Sequence, residues 1–128
     1  MELNQITVPT HDMAASVAFY KRLGFRQLVD TAHYARFLAP EGDTTFSLHL
    51  EEGYEPAGKT VVYLETHDLD EVVAKLQAAG LTFTSAPKDE RWLWREARLL
   101  DPAGNQICIY YAGENRINPP WRITQSEE

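Results

Sequence analysis

The sequence predicts an α+β chain built from two βαβββ modules, and three pairs of matching segments predict it. Thr10-His11-Asp12-Met13 and Thr66-His67-Asp68-Leu69 open two helix-like stretches. Gly24 and Gly80 close them, and one offset of 56 residues separates both the aspartates and the glycines. Ala39-Pro40-Glu41-Gly42-Asp43 resembles Asp101-Pro102-Ala103-Gly104-Asn105 at an offset of 62, so the second copy is about six residues longer before its turn. A chance tetrapeptide would not keep this register, and self-similarity at fixed spacing marks a duplicated supersecondary unit.

In the first module, Leu3 to Val8 mixes apolar and polar residues with β-branched enrichment and reads as a strand. Asp12 is a good N-cap, Met13, Val17, Phe19, Tyr20 and Leu23 follow at mixed helical spacing, and Gly24 supplies a left-handed stop. Phe25 to Val29 and Tyr34 to Leu38 are the next two strands. After the Glu41-Gly42-Asp43 turn, Phe46, Leu48 and Leu50 alternate with Ser47 and His49 in a fourth strand, Thr45 to Leu50.

The second module repeats the order. Thr60 to Glu65 is a strand, and Asp68 with Glu71 forms an expected capping box ahead of Leu69, Val72, Val73 and Leu76. Gly80 ends that helix, Leu81 to Thr84 resumes extended structure, and Trp92 to Leu99 is the next strand. The Asp101 to Asn105 turn feeds the last strand, Gln106 to Tyr111.

A chain of 128 residues is expected to form one domain, with modules at about 1–52 and 59–112 and a Gly- and Pro-containing linker at 53–58. The tail, 113–128, holds Pro119-Pro120 and so excludes a regular helix there. A hydrophobic fraction of 44% is enough for a core, yet no run of about 18 apolar residues is present to span a membrane. Met1 to Gln5 lacks a basic segment followed by an apolar one, so a cytoplasmic location is expected rather than secretion. The one cysteine, Cys108, rules out an internal disulfide and reads as a small buried hydrophobe. A net charge of -7 argues against nucleic-acid binding, which needs a basic footprint. The same charge favours cationic over anionic ligands, and it also simply keeps a protein soluble.

Together the two βαβββ units, Gln5 on the first strand, Ser16-Val17-Ala18-Phe19-Tyr20 running to Leu23-Gly24-Phe25, and the Asp101 to Asn105 turn resemble the glyoxalase/bleomycin-resistance/extradiol-dioxygenase superfamily, also called vicinal oxygen chelate proteins. The resemblance covers roughly residues 3 to 112. It implies that each module curls its four-stranded mixed sheet into a half-open cup, that two cups face a common cavity, and that the chain forms a homodimer. It also implies metal-ligand positions on the first and fourth strand of each module, here Gln5, Ser47, Val61 and Cys108. That set departs from the usual His and Glu. Val61 has no donor atom, Ser47 is a poor ligand, and Cys108 offers a soft donor to a hard site. No family-type metal centre and no cofactor are therefore expected, although a divalent ion at another site stays open.

Strand parity places Gln5, Thr7, Ser47, His49, Tyr63, Glu65, Cys108 and Tyr110 on the cavity face, and Phe46, Leu48, Ile107 and Ile109 under the helices. His49 is the candidate catalytic residue, because imidazole titrates near neutral pH and serves as base or metal ligand. The plainer reading, a cavity-lining histidine satisfied by Tyr110 or water, weighs more than the catalytic one. A cluster of His49, Glu65 and Gln5 is a conceivable non-family metal site. Trp92 and Trp94 share a face with Glu96 and Arg98, which suits either recognition of planar or carboxylate-bearing ligands or packing at an interface. Arg36 and Arg98 hold equivalent places in the two modules, which favours a structural role, and Trp121-Arg122 in the tail is set either to close over a pocket, to clamp a neighbouring chain, or to pack on the sheet.

The expected function is a glyoxalase/bleomycin-resistance-like protein that binds a small molecule in the cavity between its modules, without the family metal. The alternative is a metal-dependent or His49-assisted lyase, isomerase or dioxygenase. A third reading is a structural or regulatory partner whose cup is filled by its own side chains.

Overall fold

The computed structural model describes residues 1–124. The last four residues of the tail, 125–128, lie outside the described residues. In chain order the elements are β1 (Gln5–Thr10), α1 (Met13–Arg22), β2 (Arg26–Asp30), β3 (Tyr34–Leu38), β4 (Thr45–Leu50), β5 (Val61–Glu65), α2 (Leu69–Ala78), β6 (Phe83–Asp89), β7 (Arg95–Leu100) and β8 (Gln106–Tyr111). A short 3-10 turn, Gly113–Arg116, follows. The strands form two mixed sheets, ordered β1-β4-β3-β2 and β5-β8-β7-β6, in which β1 runs parallel to β4 and β5 parallel to β8. This is the duplicated βαβββ arrangement read from the sequence. Among the described residues, no helix is long and apolar enough to cross a membrane.

The start of α1 follows from local hydrogen bonding. The Asp12 carboxylate accepts from the Ala15 N–H at 3.1 Å, and the Asp12 N–H donates to Thr10 Oγ1 at 3.0 Å. Thr10 and Ser16, both fully buried, share a hydroxyl hydrogen bond of 2.7 Å that ties the end of β1 to the helix. The second helix starts differently from the expected capping box. Asp68 makes no side-chain cap bond, and Glu71 pairs instead with Lys75 one turn on, at 3.7 Å. Asp70 and Glu71 in the first turn still complement the positive end of the helix dipole.

One apolar cluster draws on both modules. It contains Phe19, Tyr20, Phe25, Phe37, Phe46 and Leu48 from the first and Leu69, Val73, Leu81, Leu99, Ile107 and Ile109 from the second. Tyr20 sits at its centre, with the rings of Phe19, Phe25 and Phe46 at 5.0, 5.4 and 4.5 Å. Its hydroxyl donates to Asp101 Oδ2 at 2.7 Å across the module boundary. Burial, and then the neighbouring Asp101 charge, raise the Tyr20 phenol far above its ordinary range, so it stays protonated as the donor.

Asp101 is itself the hub of the β7–β8 turn. Its Oδ1 accepts from the N–H groups of Ala103 and Asn105 at 2.9 and 2.8 Å, and its Oδ2 also accepts from Asn105 Nδ2 at 2.9 Å. Asn105 in turn donates to the Pro9 carbonyl at 2.9 Å and accepts from the Tyr54 hydroxyl at 2.8 Å. Gly104 is required here, because its φ is +89° and an added Cβ would come within 2.8 Å of Pro56. The turn therefore holds β1, α1 and the segment between the modules at once.

Several expected boundaries move. The first strand begins at Gln5 and continues through Pro9 to Thr10, rather than spanning Leu3 to Val8. β6 covers Phe83–Asp89, because Leu81 is drawn into the core and does not join the sheet. The strand expected from Trp92 starts at Arg95. Residues 90–94 turn instead, with Leu93 at φ +69° and hydrogen bonds from the Glu90 N–H to the Trp94 carbonyl and from the Leu93 N–H to the Glu90 carbonyl.

Tyr20→Phe removes the inter-module donor and keeps the ring. We expect destabilisation of about 1–3 kcal/mol, since a buried carboxylate loses a partner. Urea denaturation checks it: the midpoint falls with an unchanged slope, and a loss under about 0.3 kcal/mol would count against the Tyr20–Asp101 bond as a stabilising link.

Candidate functional site

Each sheet presents the face away from its helix, and the same architecture recurs on the two faces. In the first cup the floor is Ser47, wholly buried. Gln5 Nε2 donates to Ser47 Oγ at 2.6 Å, while Gln5 Oε1 accepts from Thr45 Oγ1, so the amide is fixed from both ends. Tyr34 Oη and Ser47 Oγ are 2.6 Å apart, and Arg36 Nε donates to Tyr34 Oη at 2.8 Å. The Ser47 hydrogen bond first, and Arg36 after it, lower the Tyr34 phenol from its ordinary value. Thr7 and His49 lie exposed on either side, Thr7 in register with Ser47 and His49 with Pro9 and Tyr34.

In the second cup the floor is Cys108, also wholly buried and in register with Tyr63 on β5 and Arg98 on β7. Above it, Glu96 is 4% exposed and fully partnered. Its Oε2 accepts from Trp92 Nε1 at 2.7 Å, and its Oε1 from Arg98 Nη2 at 3.0 Å. Trp94 stacks on Tyr110 at 4.5 Å and 18°, and Tyr63 meets both rings edge-on at 5.9 and 5.5 Å. Tyr63 remains 45% exposed, so the aromatic wall is open to solvent. Burial, and secondly the Glu65 charge, raise the Tyr110 phenol.

Not all the expected residues converge. A cleft of about 550 Å³ between β1, the start of β4 and β5 brings Gln5 and Tyr63 together, with Thr45, Val61 and Arg116 beside them. Glu65 is engaged elsewhere. Its Oε2 accepts from the Ala112 and Gly113 N–H groups at 2.9 Å each, and its Oε1 lies 3.5 Å from Arg116. It anchors the 3-10 turn that follows β8. The His49 side chain makes no hydrogen bond to another described residue, so Tyr110 does not satisfy it. Among the described residues no group of three or more His, Cys, Asp and Glu side chains gathers into a metal site, His49 and Glu65 included. In the tail, Trp121 is exposed and borders a groove with Arg91 and Trp92, and the Asn115 carbonyl accepts from Trp94 Nε1 at 3.4 Å.

Tyr34 and Arg36 belong to these faces and stood outside the expected site, while Glu96 and Arg98 were expected only as neighbours of the two tryptophans. A signal for them was present: Tyr34 and Glu96 are 62 residues apart, as are Arg36 and Arg98, and all four share parity with the strand positions chosen.

The family model described as the Glyoxalase/Bleomycin resistance protein/Dioxygenase superfamily matches residues 2–109. The chain belongs to that superfamily. A curated relative, an uncharacterized protein of Mycolicibacterium smegmatis, is 29% identical over 110 residues, covering 85% of this chain and 92% of the relative. Among solved structures, a glyoxalase/bleomycin resistance protein/dioxygenase from Nocardioides superposes with a TM-score of 0.78 at 24% identity, covering 97% of this chain and 90% of the other. A bleomycin-binding protein complexed with bleomycin superposes with a TM-score of 0.72 at 25% identity, covering 87% of this chain and 98% of the other.

The superfamily's metal-dependent members raise the question of whether this donor set suits a divalent ion. It does not fit. Val61 brings no donor, the Gln5 amide and the Ser47 hydroxyl are engaged with each other, and burial, with Glu96 adding to it, pushes the Cys108 thiol from 9.0 up to about 12. A protonated, enclosed thiol is neither a ready ligand nor a nucleophile.

Because the folded thiol titrates higher than the unfolded one, its contribution to stability is complete below pH about 9 and fades as pH rises toward about 12. At pH 8 we expect an aromatic disulfide reagent to modify Cys108 at least about a hundredfold more slowly in the native protein than in urea. Comparable rates in the two states would contradict the enclosed, protonated thiol.

Proposed function

We propose that this chain binds a flat, aromatic small molecule without the help of a metal ion, as a homodimer whose cups are completed across the interface. The observation that carries this is the open aromatic wall of the second cup, in which Trp94, Tyr110 and Tyr63 are locked against one another and Tyr63 stays exposed. Rings fixed in this way offer area to a ligand with little side-chain entropy left to lose on binding. The likeness to a bleomycin-binding protein supports the same reading, and so does the donor set at the superfamily's metal positions.

Charge does not oppose an aromatic ligand. The carboxylates in the second cup, Glu65 and Glu96, are each matched by an arginine, Arg116 and Arg98. The catalytic alternative gains nothing at His49, whose ring has no hydrogen-bond partner among the described residues to orient it or set its tautomer.

A thermal-shift panel of cationic glycopeptides and aromatic amphiphiles tests the proposal. We expect at least one member to raise the midpoint, because a ligand at about 100 times its Kd adds roughly 2.7 kcal/mol. Dialysis against a chelator should leave that shift intact, and Trp94→Ala should remove it. A panel with no response, or a response that needs added metal, would defeat the proposal.

A further inference from the structure

We infer that Arg36, with Tyr34, Ser47 and Gln5, forms a carboxylate-recognition site in the first cup. The proposed ligand would then carry an anionic group as well as an aromatic one. The inference rests on the binding reading above and adds the ligand's charge to it.

The duplication supplies its own template. Arg36 stands where Arg98 stands, each in register with the floor residue of its cup, Ser47 or Cys108. Two residues before each arginine on the same strand comes the group that holds it, Tyr34 in one module and Glu96 in the other. In the second cup the carboxylate is therefore built in, and Arg98 is neutralised by Glu96 at 3.0 Å. In the first cup a neutral phenol has replaced it, and no described carboxylate pairs with Arg36. A carboxylate from outside would restore at Arg36 the charge balance that Glu96 gives to Arg98.

The hydrogen-bond inventory points the same way. Arg36 commits Nε to Tyr34, and its guanidinium carbon lies 5.4 Å from the Tyr34 ring centroid, which orients the group while both terminal nitrogens keep their donors. Gln5 donates to Ser47, and Ser47 and Tyr34 share one hydroxyl proton between them, so one proton of that pair is left over. Ser47 is buried, which leaves the Tyr34 hydroxyl as the place where that proton reaches the open cup. The site thus offers donors and a positive charge, the complement of a carboxylate.

Titration calorimetry with naphthoate and its neutral isostere naphthamide tests this. The wild-type chain is expected to bind naphthoate at least about tenfold more tightly, as a charge-assisted bidentate contact would give. Arg36→Gln should erase that preference by weakening naphthoate alone, and Arg36→Lys should keep part of it, having the charge without the planar fork. Trp94→Ala should weaken both probes alike. Arg36 is exposed, and an unchanged urea midpoint in each Arg36 variant confirms that folding is intact. Equal affinity for the two probes in the wild type, or an undiminished preference in Arg36→Gln, would overturn the carboxylate site and leave the aromatic-binding reading standing. Failure of both probes to bind the wild type would count against the site and the reading together.

Discussion

The docking of one module on the other is directed by one buried contact, the hydrogen bond from the Tyr20 hydroxyl to Asp101. A polar pair in an apolar core is costly unless every group is matched, and here every group is. Asp101 accepts from two backbone N–H groups, one amide and one phenol, and Asn105 passes the connection on to Pro9 and Tyr54. Geometry therefore specifies how the second module's turn meets the first module's helix, where apolar packing alone would tolerate sliding. The cleft between β1 and β5 inherits its shape from that docking.

The duplication has diverged most where it faces the cups. Positions that bury apolar side chains under the helices stay apolar in both copies, as Phe46 and Leu48 match Ile107 and Ile109. On the open faces, Gln5 corresponds to Val61, Ser47 to Cys108 and Tyr34 to Glu96. Core positions answer to the same packing constraint twice. Cup positions do not, and the outcome is one cup rich in hydrogen-bond donors and one lined with aromatic rings.

Much of this was legible in advance because it follows from local rules. β3, β4 and β8 begin and end where alternation places them, and Asp12 and Gly24 bound α1 through capping geometry that needs only neighbouring residues. The failures lie where another partner, often a distant one, competes. Glu71 fits a capping box by spacing, yet Lys75 one turn on engages it. Glu65 has the parity of a cup residue, but the N–H groups of Ala112 and Gly113, 47 and 48 residues away, take its carboxylate. Tyr20 reads as one more core aromatic in a helix, and nothing near it in the chain announces Asp101, 81 residues on. The same limit applies to Tyr34, whose role rests on Ser47, brought to it by the neighbouring strand β4.

The turn ahead of β7 shows how the aromatic cup is kept in shape. Continuous strand from Trp92 would have been the easier conformation, since a leucine at φ +69° costs on the order of 1 kcal/mol. The chain accepts that strain because both flanking indoles are gripped: Trp92 donates to buried Glu96, and Trp94 lies flat on Tyr110. Glu96 in turn tolerates burial because Arg98 and Trp92 satisfy its oxygens. On the opposite face Arg95 reaches Asp70 and Asp89 at 2.9 and 3.1 Å, which fixes the start of β7 against α2 and β6. These contacts hold both tryptophans in set positions while Tyr63 stays exposed beside them. Rigid apolar area left facing solvent is what a binding surface needs, and a self-filled core would have no use for it.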